Sequence, residues 1–188
     1  MTARDRYTPG PPYAQVQKEG DNWTLVLTRE LHHAPDKVWH ALTDPAQLRE
    51  WAPFDADGNL GAAGATVKLT TVGAPKPHVT ETTVTRAEMP SLLEYNWGGF
   101  DMRWRLEPLD GGTRLTLWTN IDRRYIAMGA AGWHLCLDVL DHLLAGTPLG
   151  RIVGPDAMQF DGWHRLHEAY SKEFGVEMPE WAKAPRQS

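Results

Sequence analysis

Apolar and polar positions first alternate in step over residues 22–32, where Trp23, Leu25, Leu27 and Leu31 share one parity. That period of two marks a half-buried strand, and Arg29 lies on the same parity as its leucines. The period then lengthens. Val38 and Leu42 fall four apart behind Pro35, and Leu48 and Trp51 fall three apart behind Asp44-Pro45. Proline suits the first helical turn, where its missing N–H costs nothing, and Asp44 is a capping carboxylate. Two short helices are expected. Residues 52–64 read as a Gly/Ala/Asp-rich loop with room for a very short strand near Leu60.

From 65 to 121 the pattern is a meander. Runs 65–72, 78–88, 91–98, 100–108 and 113–121 are separated by turn residues, among them Met89-Pro90, Gly98-Gly99 and Asp110-Gly111-Gly112. Leu93, Tyr95 and Trp97 share a face; so do Met102, Trp104 and Leu106, and so do Leu115, Leu117, Thr119 and Ile121. Each strand has one greasy face, so the sheet is antiparallel with one side to solvent. A helix follows over 123–145, with Ile126, Ala130, Trp133, Leu137, Leu140 and Leu144 at spacings of three and four. Gly146 and Pro148 stop it. Residues 146–160 read as a linker and 161–174 as a last helix carrying Trp163, Leu166, Tyr170 and Phe174. Residues 1–21 read as a flexible arm and 176–188 as a loose tail, leaving one domain over 22–175.

A one-sided sheet must cover its apolar face, and only the long helix is large enough to do so. The expected fold is α+β: a curved antiparallel sheet of six to seven strands wrapped around one helix, with a cavity between them. Composition narrows the function. The chain has 188 residues, a formal charge of −5, one cysteine, three serines and nine tryptophans. The charge argues against nucleic acid. Cys136 alone excludes an internal disulfide and a cysteine-based zinc site. No apolar run approaches ~20 residues, and no signal segment opens the chain, so a cytoplasmic protein without a membrane span is expected.

The element order and specific residues resemble the START-like (SRPBCC) superfamily with its helix-grip fold. The carrying residues are Thr28-Arg29, Ala34-Pro35, Val38-Trp39, Ala41-Leu42-Thr43-Asp44-Pro45, Leu48 and Trp51. Leu93-Glu94-Tyr95-Asn96-Trp97, Gly112-Thr113-Arg114-Leu115-Thr116-Leu117 and Ala131-Gly132-Trp133-His134 add to them. Gly162-Trp163 followed by Tyr170 fits bacterial members. Within the superfamily the chain is most similar to proteins related to the C-terminal domain of the activator of the heat-shock protein 90 ATPase. The resemblance implies the fold. It leaves function open between lipid carriers, hormone receptors, polyketide cyclases and co-chaperones. The eukaryotic activator has a separate N-terminal domain where this sequence has a short arm, which argues against direct stimulation of the chaperone ATPase.

The strand parities aim Tyr95, Trp97, Trp104 and Thr119 at the long helix, opposite Trp133 and Leu137, with Trp51 and Phe54 near the mouth. These residues and Arg29 are the expected ligand-binding set. Any one ring is adequately explained as core, while the set suggests a pocket for a flat apolar ligand. Arg29 needs a partner, either Glu81 or Glu94 as a structural ion pair or a ligand carboxylate. His134, Asp138 and His142 form a strip at i, i+4 and i+8, which reads as a solvated face rather than a metal site. His33 and His134 are the candidate general bases. Serine catalysis lacks a suitable serine, Cys136 reads as an inert buried thiol, and the Gly61–Gly64 and Gly129–Gly132 runs lack a nucleotide-binding context. The glycines at 129–132 read instead as allowing the helix to approach the sheet. Trp118 has outward parity and no assigned role. The leading expectation is a ligand-holding protein with no metal, no cofactor and no chemistry of its own, as a monomer or homodimer. A polyketide cyclase/dehydratase-like enzyme and a co-chaperone in contact with the chaperone are the alternatives.

Overall fold

A computed structural model of the chain describes residues 1–183. Part of the expected tail, residues 184–188, lies outside the described residues. The chain opens with α1 (Ala3–Arg6), β1 (Gln15–Glu19) and β2 (Asn22–Leu31), followed by α2 (Pro35–Thr43) and α3 (Pro45–Trp51). Asp44 caps α3 by accepting from the backbone N–H groups of Ala46 and Gln47, at 2.8 and 3.1 Å. Seven further strands follow: β3 (Phe54–Ala56), β4 (Thr66–Thr71), β5 (His78–Thr83), β6 (Arg86–Glu88), β7 (Leu92–Trp97), β8 (Phe100–Leu109) and β9 (Gly112–Asn120). The chain ends with α4 (Ile126–Leu144), α5 (Gly154–Gln159), α6 (Asp161–Phe174) and a short 3-10 turn at Glu180–Ala182.

The main sheet is antiparallel and six-stranded, in the order β1-β2-β9-β8-β7-β6, and a smaller sheet has the order β3-β4-β5. The run expected as one strand over 78–88 is broken into β5 and β6. Two bonds tie the halves to β7: the Thr85 N–H donates to the Glu94 carbonyl at 2.9 Å, and the Asn96 N–H donates to the Thr82 hydroxyl at 3.1 Å. The two sheets therefore curve as one wall. The short strand expected near Leu60 forms at β3 instead, because the Leu60 N–H is taken by the Thr43 carbonyl at the end of α2.

Helix α4 packs on the concave side, and Leu25, Leu27, Leu31, Leu93, Trp104, Leu115 and Leu117 are buried in the core it shares with the sheet. Gly129 permits close approach, since a Cβ there would stand 2.6 Å from Ile121 Cδ1. Gly132 does not: a Cβ on it would meet nothing within 4 Å. Gly146 ends α4 at φ 77°, with its N–H donating to Leu143 O and that of Thr147 to His142 O.

Two segments differ from the sequence expectation. Residues 1–21 are no loose arm: β1 extends the main sheet along β2, Ala14 is buried, and Tyr13 packs on α4 and α6. The polar, turn-rich composition hid it: β1 is fixed by a local hairpin with β2, and only Tyr13 and Ala14 are tied over a long range, to Tyr170. Residues 146–160 are more than a linker, because they contain α5, which Gly154-Pro155 starts and whose Ala157 is buried.

Candidate functional site

A cavity of about 380 Å³ lies between the curved sheet and α4. One wall comes from the strands: Thr71, Trp97, Phe100 and Thr119. Met128, Gly132, Trp133 and Cys136 of α4 form the second. The third comes from the segment after α4, with Ile152, Val153, Ala157 and Trp163. The lining is almost wholly apolar. The Trp97 indole N–H donates to Thr71 Oγ1 at 3.3 Å. The Thr119 hydroxyl makes no side-chain hydrogen bond among the described residues, although Thr119 is buried. Burial pushes the Cys136 thiol up to about 12, so it stays protonated and weakly nucleophilic at neutral pH.

Of the expected ligand-binding residues, Trp97, Thr119 and Trp133 meet in this cavity. The others, Arg29 apart, stand behind its wall. Trp104 packs edge-on against Trp133, ring centroids 5.7 Å apart, and against Trp51 at 6.0 Å. Its indole N–H donates to the Tyr95 hydroxyl at 3.2 Å, and that of Trp51 donates to the Ala41 carbonyl at 2.9 Å. Phe54 sits between Tyr95 and Trp97, and Leu137 is buried in the core. These indole and phenol groups already have partners, which marks them as packing. The sequence reading missed Phe100 and the wall from residues 152–163. Ile152-Val153 and Ala157-Met158 were visible apolar pairs, but in a segment read as a linker.

Arg29 lies elsewhere. It pairs with Asp138 and Asp141 of α4, the latter at 3.4 Å, rather than with Glu81 or Glu94. The parity was right, but strand order puts β2 against the later turns of α4. His33 meets Asp141 at 3.2 Å. The strip read as solvated is largely covered, because Tyr7 and Tyr13 of the N-terminal segment close over it: His134 is 1% exposed and Asp138 8%. The Tyr170 hydroxyl accepts from the backbone N–H groups of Tyr13 (3.1 Å) and Ala14 (3.3 Å). Its own proton therefore goes to His134 Nδ1, 2.8 Å away. That fixes His134 with its proton on Nε2, facing Asp138 Oδ2 at 3.6 Å. Burial pulls the imidazole down to about 4, so it is neutral at pH 7. Neither candidate base lines the apolar cavity. Among the described residues no group of three or more His, Cys, Asp or Glu side chains could hold a metal ion, and no helix is long and apolar enough to cross a membrane.

The profile of the activator of Hsp90 ATPase homolog 1-like proteins matches residues 32–145, more than half of the sequence. The chain belongs to this family. Solved structures agree on the fold. CalU16 from Micromonospora echinospora is 18% identical with a TM-score of 0.62, covering 88% of this chain and 98% of its own. Protein MLL2253 from Mesorhizobium loti is 26% identical with a TM-score of 0.57, covering 67% of this chain and 99% of its own. DynU16, described as a putative protein in the dynemicin biosynthetic locus, is 21% identical with a TM-score of 0.59, covering 72% of this chain and 51% of its own. No curated protein matches by sequence. The family match spans residues 32–145, so the third cavity wall and the N-terminal segment lie outside the matched region.

Proposed function

We propose that this family member binds a small hydrophobic or aromatic ligand in the cavity between sheet and long helix, without chemistry of its own. The observation that carries the reading is the cavity itself. Its 380 Å³ lies within the ~300–1,000 Å³ of small-molecule sites, and its walls are tryptophan, phenylalanine and aliphatic side chains. Among the described residues Thr119 and Tyr125 are the lining hydroxyls without a side-chain hydrogen bond, so a ligand with one or two carbonyl or hydroxyl groups fits best. Among the described residues no charged side chain lines the cavity, which disfavours a carboxylate or an ammonium. The likeness to DynU16, from a biosynthetic locus, is compatible with a small organic ligand. A cyclase-like reaction would need a proton carrier at the ligand. His33 and His134 stand on the other side of α4, and Cys136 is held protonated, which supports holding over turnover.

The test is titration with a panel of flat apolar compounds, read by tryptophan emission. Quenching that Gly132→Leu abolishes is the expected result. Gly132 faces the cavity with open space, so leucine there fills the volume while improving helix propensity. A panel without quenching, or quenching that survives in Gly132→Leu, overturns the reading. Family membership keeps a chaperone contact as a second reading; it predicts that the protein binds the chaperone equally well with the cavity filled by Gly132→Leu.

A further inference from the structure

A second cleft, of about 410 Å³, lies on the opposite side of α4 under the N-terminal segment. Its walls differ in kind from those of the apolar cavity. Arg29 comes from β2, Asp138, Asp141 and His142 from α4, and Tyr7 and Tyr13 from the segment that closes over them.

Three observations restrict what could occupy it. The Tyr13 hydroxyl is buried beside the Arg29 guanidinium and, among the described residues, makes no hydrogen bond of normal geometry. A buried hydroxyl left unpaired costs free energy and calls for an explanation. Arg29 spends one N–H on Asp138 and one on Asp141, so among the described residues three of its five donors make no side-chain hydrogen bond of normal geometry. Asp138 is fully engaged by Arg29 and Tyr7, with His134 behind it, whereas Asp141 is the more open carboxylate, 36% exposed. Free donors and a reachable acceptor therefore face the same space.

Charge decides the ligand class. An anion drawn to Arg29 would meet two carboxylates; a cation drawn to Asp141 would meet the guanidinium. His134 is neutral, and His33 is already on Asp141. An apolar ligand would leave the Tyr13 hydroxyl and the free guanidinium N–H groups unsolvated. A ligand without net charge, with adjacent groups that both donate and accept, satisfies all of them. Vicinal hydroxyls do this, one oxygen accepting from Arg29 or Tyr13 and its neighbour donating to Asp141. The C–H face of a saturated ring can lie against Pro11 or a tyrosine ring.

We infer that this cleft is a second binding site, independent of the apolar cavity, for an uncharged polyhydroxylated ring of the hexose or cyclitol type. Direct hydrogen bonds to Arg29, Tyr13 and Asp141 hold it.

The experiment is nitrogen–proton correlation spectroscopy of the full-length protein titrated with glucose, galactose, mannose and myo-inositol. The expected result is saturable shifts of the amides of Thr8–Tyr13 and of α4 around Asp138–His142, with a dissociation constant on the order of millimolar for at least one probe. The indole N–H signals of Trp97 and Trp133 should stay in place. Tyr13→Phe removes one oxygen and keeps the ring that packs on His134, so the fold survives; it should weaken binding about 5-fold. Glucuronate and glucosamine should bind more weakly than glucose. Absence of shifts up to ~100 mM of every neutral probe overturns the site. Binding unchanged in Tyr13→Phe overturns the arrangement, and preference for either charged sugar overturns the ligand class. A failed search for apolar ligands leaves these outcomes untouched, because Gly132→Leu blocks only the other cavity.

Discussion

Trp97 and Trp104 lie near each other on paired strands and look interchangeable in the sequence, yet their roles divide. Trp97 is half-buried and faces the cavity, whereas Trp104 is 1% exposed and wedged between Trp51 and Trp133. Trp97→Ala should therefore weaken ligand quenching with a modest change in Tm, while Trp104→Ala should cost about 3–5 kcal/mol of stability in a denaturant titration. Trp118, which parity put outside, does lie there, with Arg103 Cζ 5.3 Å from its ring centroid. Arg29 is a different case. Removing it strands Asp138, so Arg29→Met should destabilise by roughly 3 kcal/mol, with Asp138→Asn in the same background recovering part. His134 predicts a pH effect. Its folded value of about 4 lies below the unfolded 6.5, so the unfolded chain binds the proton more readily. Stability is full above pH 6.5 and is lost as pH falls toward 4, by on the order of 3 kcal/mol. His134→Gln, which can still accept from Tyr170, should flatten Tm against pH across that window.

Among the elements, the N-terminal segment connects the two cavities. Arg4 pairs with Asp156 of α5 and donates to the Arg151 carbonyl at 3.1 Å, while Tyr7 stacks on Phe160 with ring centroids 5.7 Å apart. Helix α5 is six residues long and carries Ala157 and Met158 of the apolar wall. So short a helix holds its place by tertiary contacts rather than by its own propensity. Deleting residues 1–12 should therefore raise amide hydrogen exchange across 154–160 and speed ligand release, while exchange in β8 and β9 stays slow. The strands over 91–121 and the helix α4 were legible because each shows one clean period over many residues. β1 and α5 were not. Both are short: β1 is a polar edge strand paired with β2 across the tight Glu19–Asn22 turn, and α5 is held by partners such as Arg4, about 150 residues away.

At the scale of the molecule, the matched family region supplies β3 to β9, the small helices α2 and α3, and α4, while the flanking segments add β1 and β2 and close a cavity on each side of that helix. Ligand in the apolar cavity should stabilise the whole domain, since it binds the folded state alone. At ~100 times its dissociation constant it should add about 2.7 kcal/mol, a rise in Tm of roughly 5–10 °C in a thermal scan. The sequence by itself determined the type of the long, periodic elements, their inward faces and the family, because periodicity and capping are local and each such strand or helix declares which side is greasy. It also showed that Arg29 points inward. Only the tertiary structure decided which inward residues meet space and which meet each other. Cavity and core are lined by the same residue types, and which one a ring faces depends on the curvature of the sheet and on segments far along the chain. That is why Tyr95, Trp51 and Trp104 proved to be packing, why Arg29 found Asp138, and why a strip of histidine and aspartate with the look of a solvated face lies under two tyrosines.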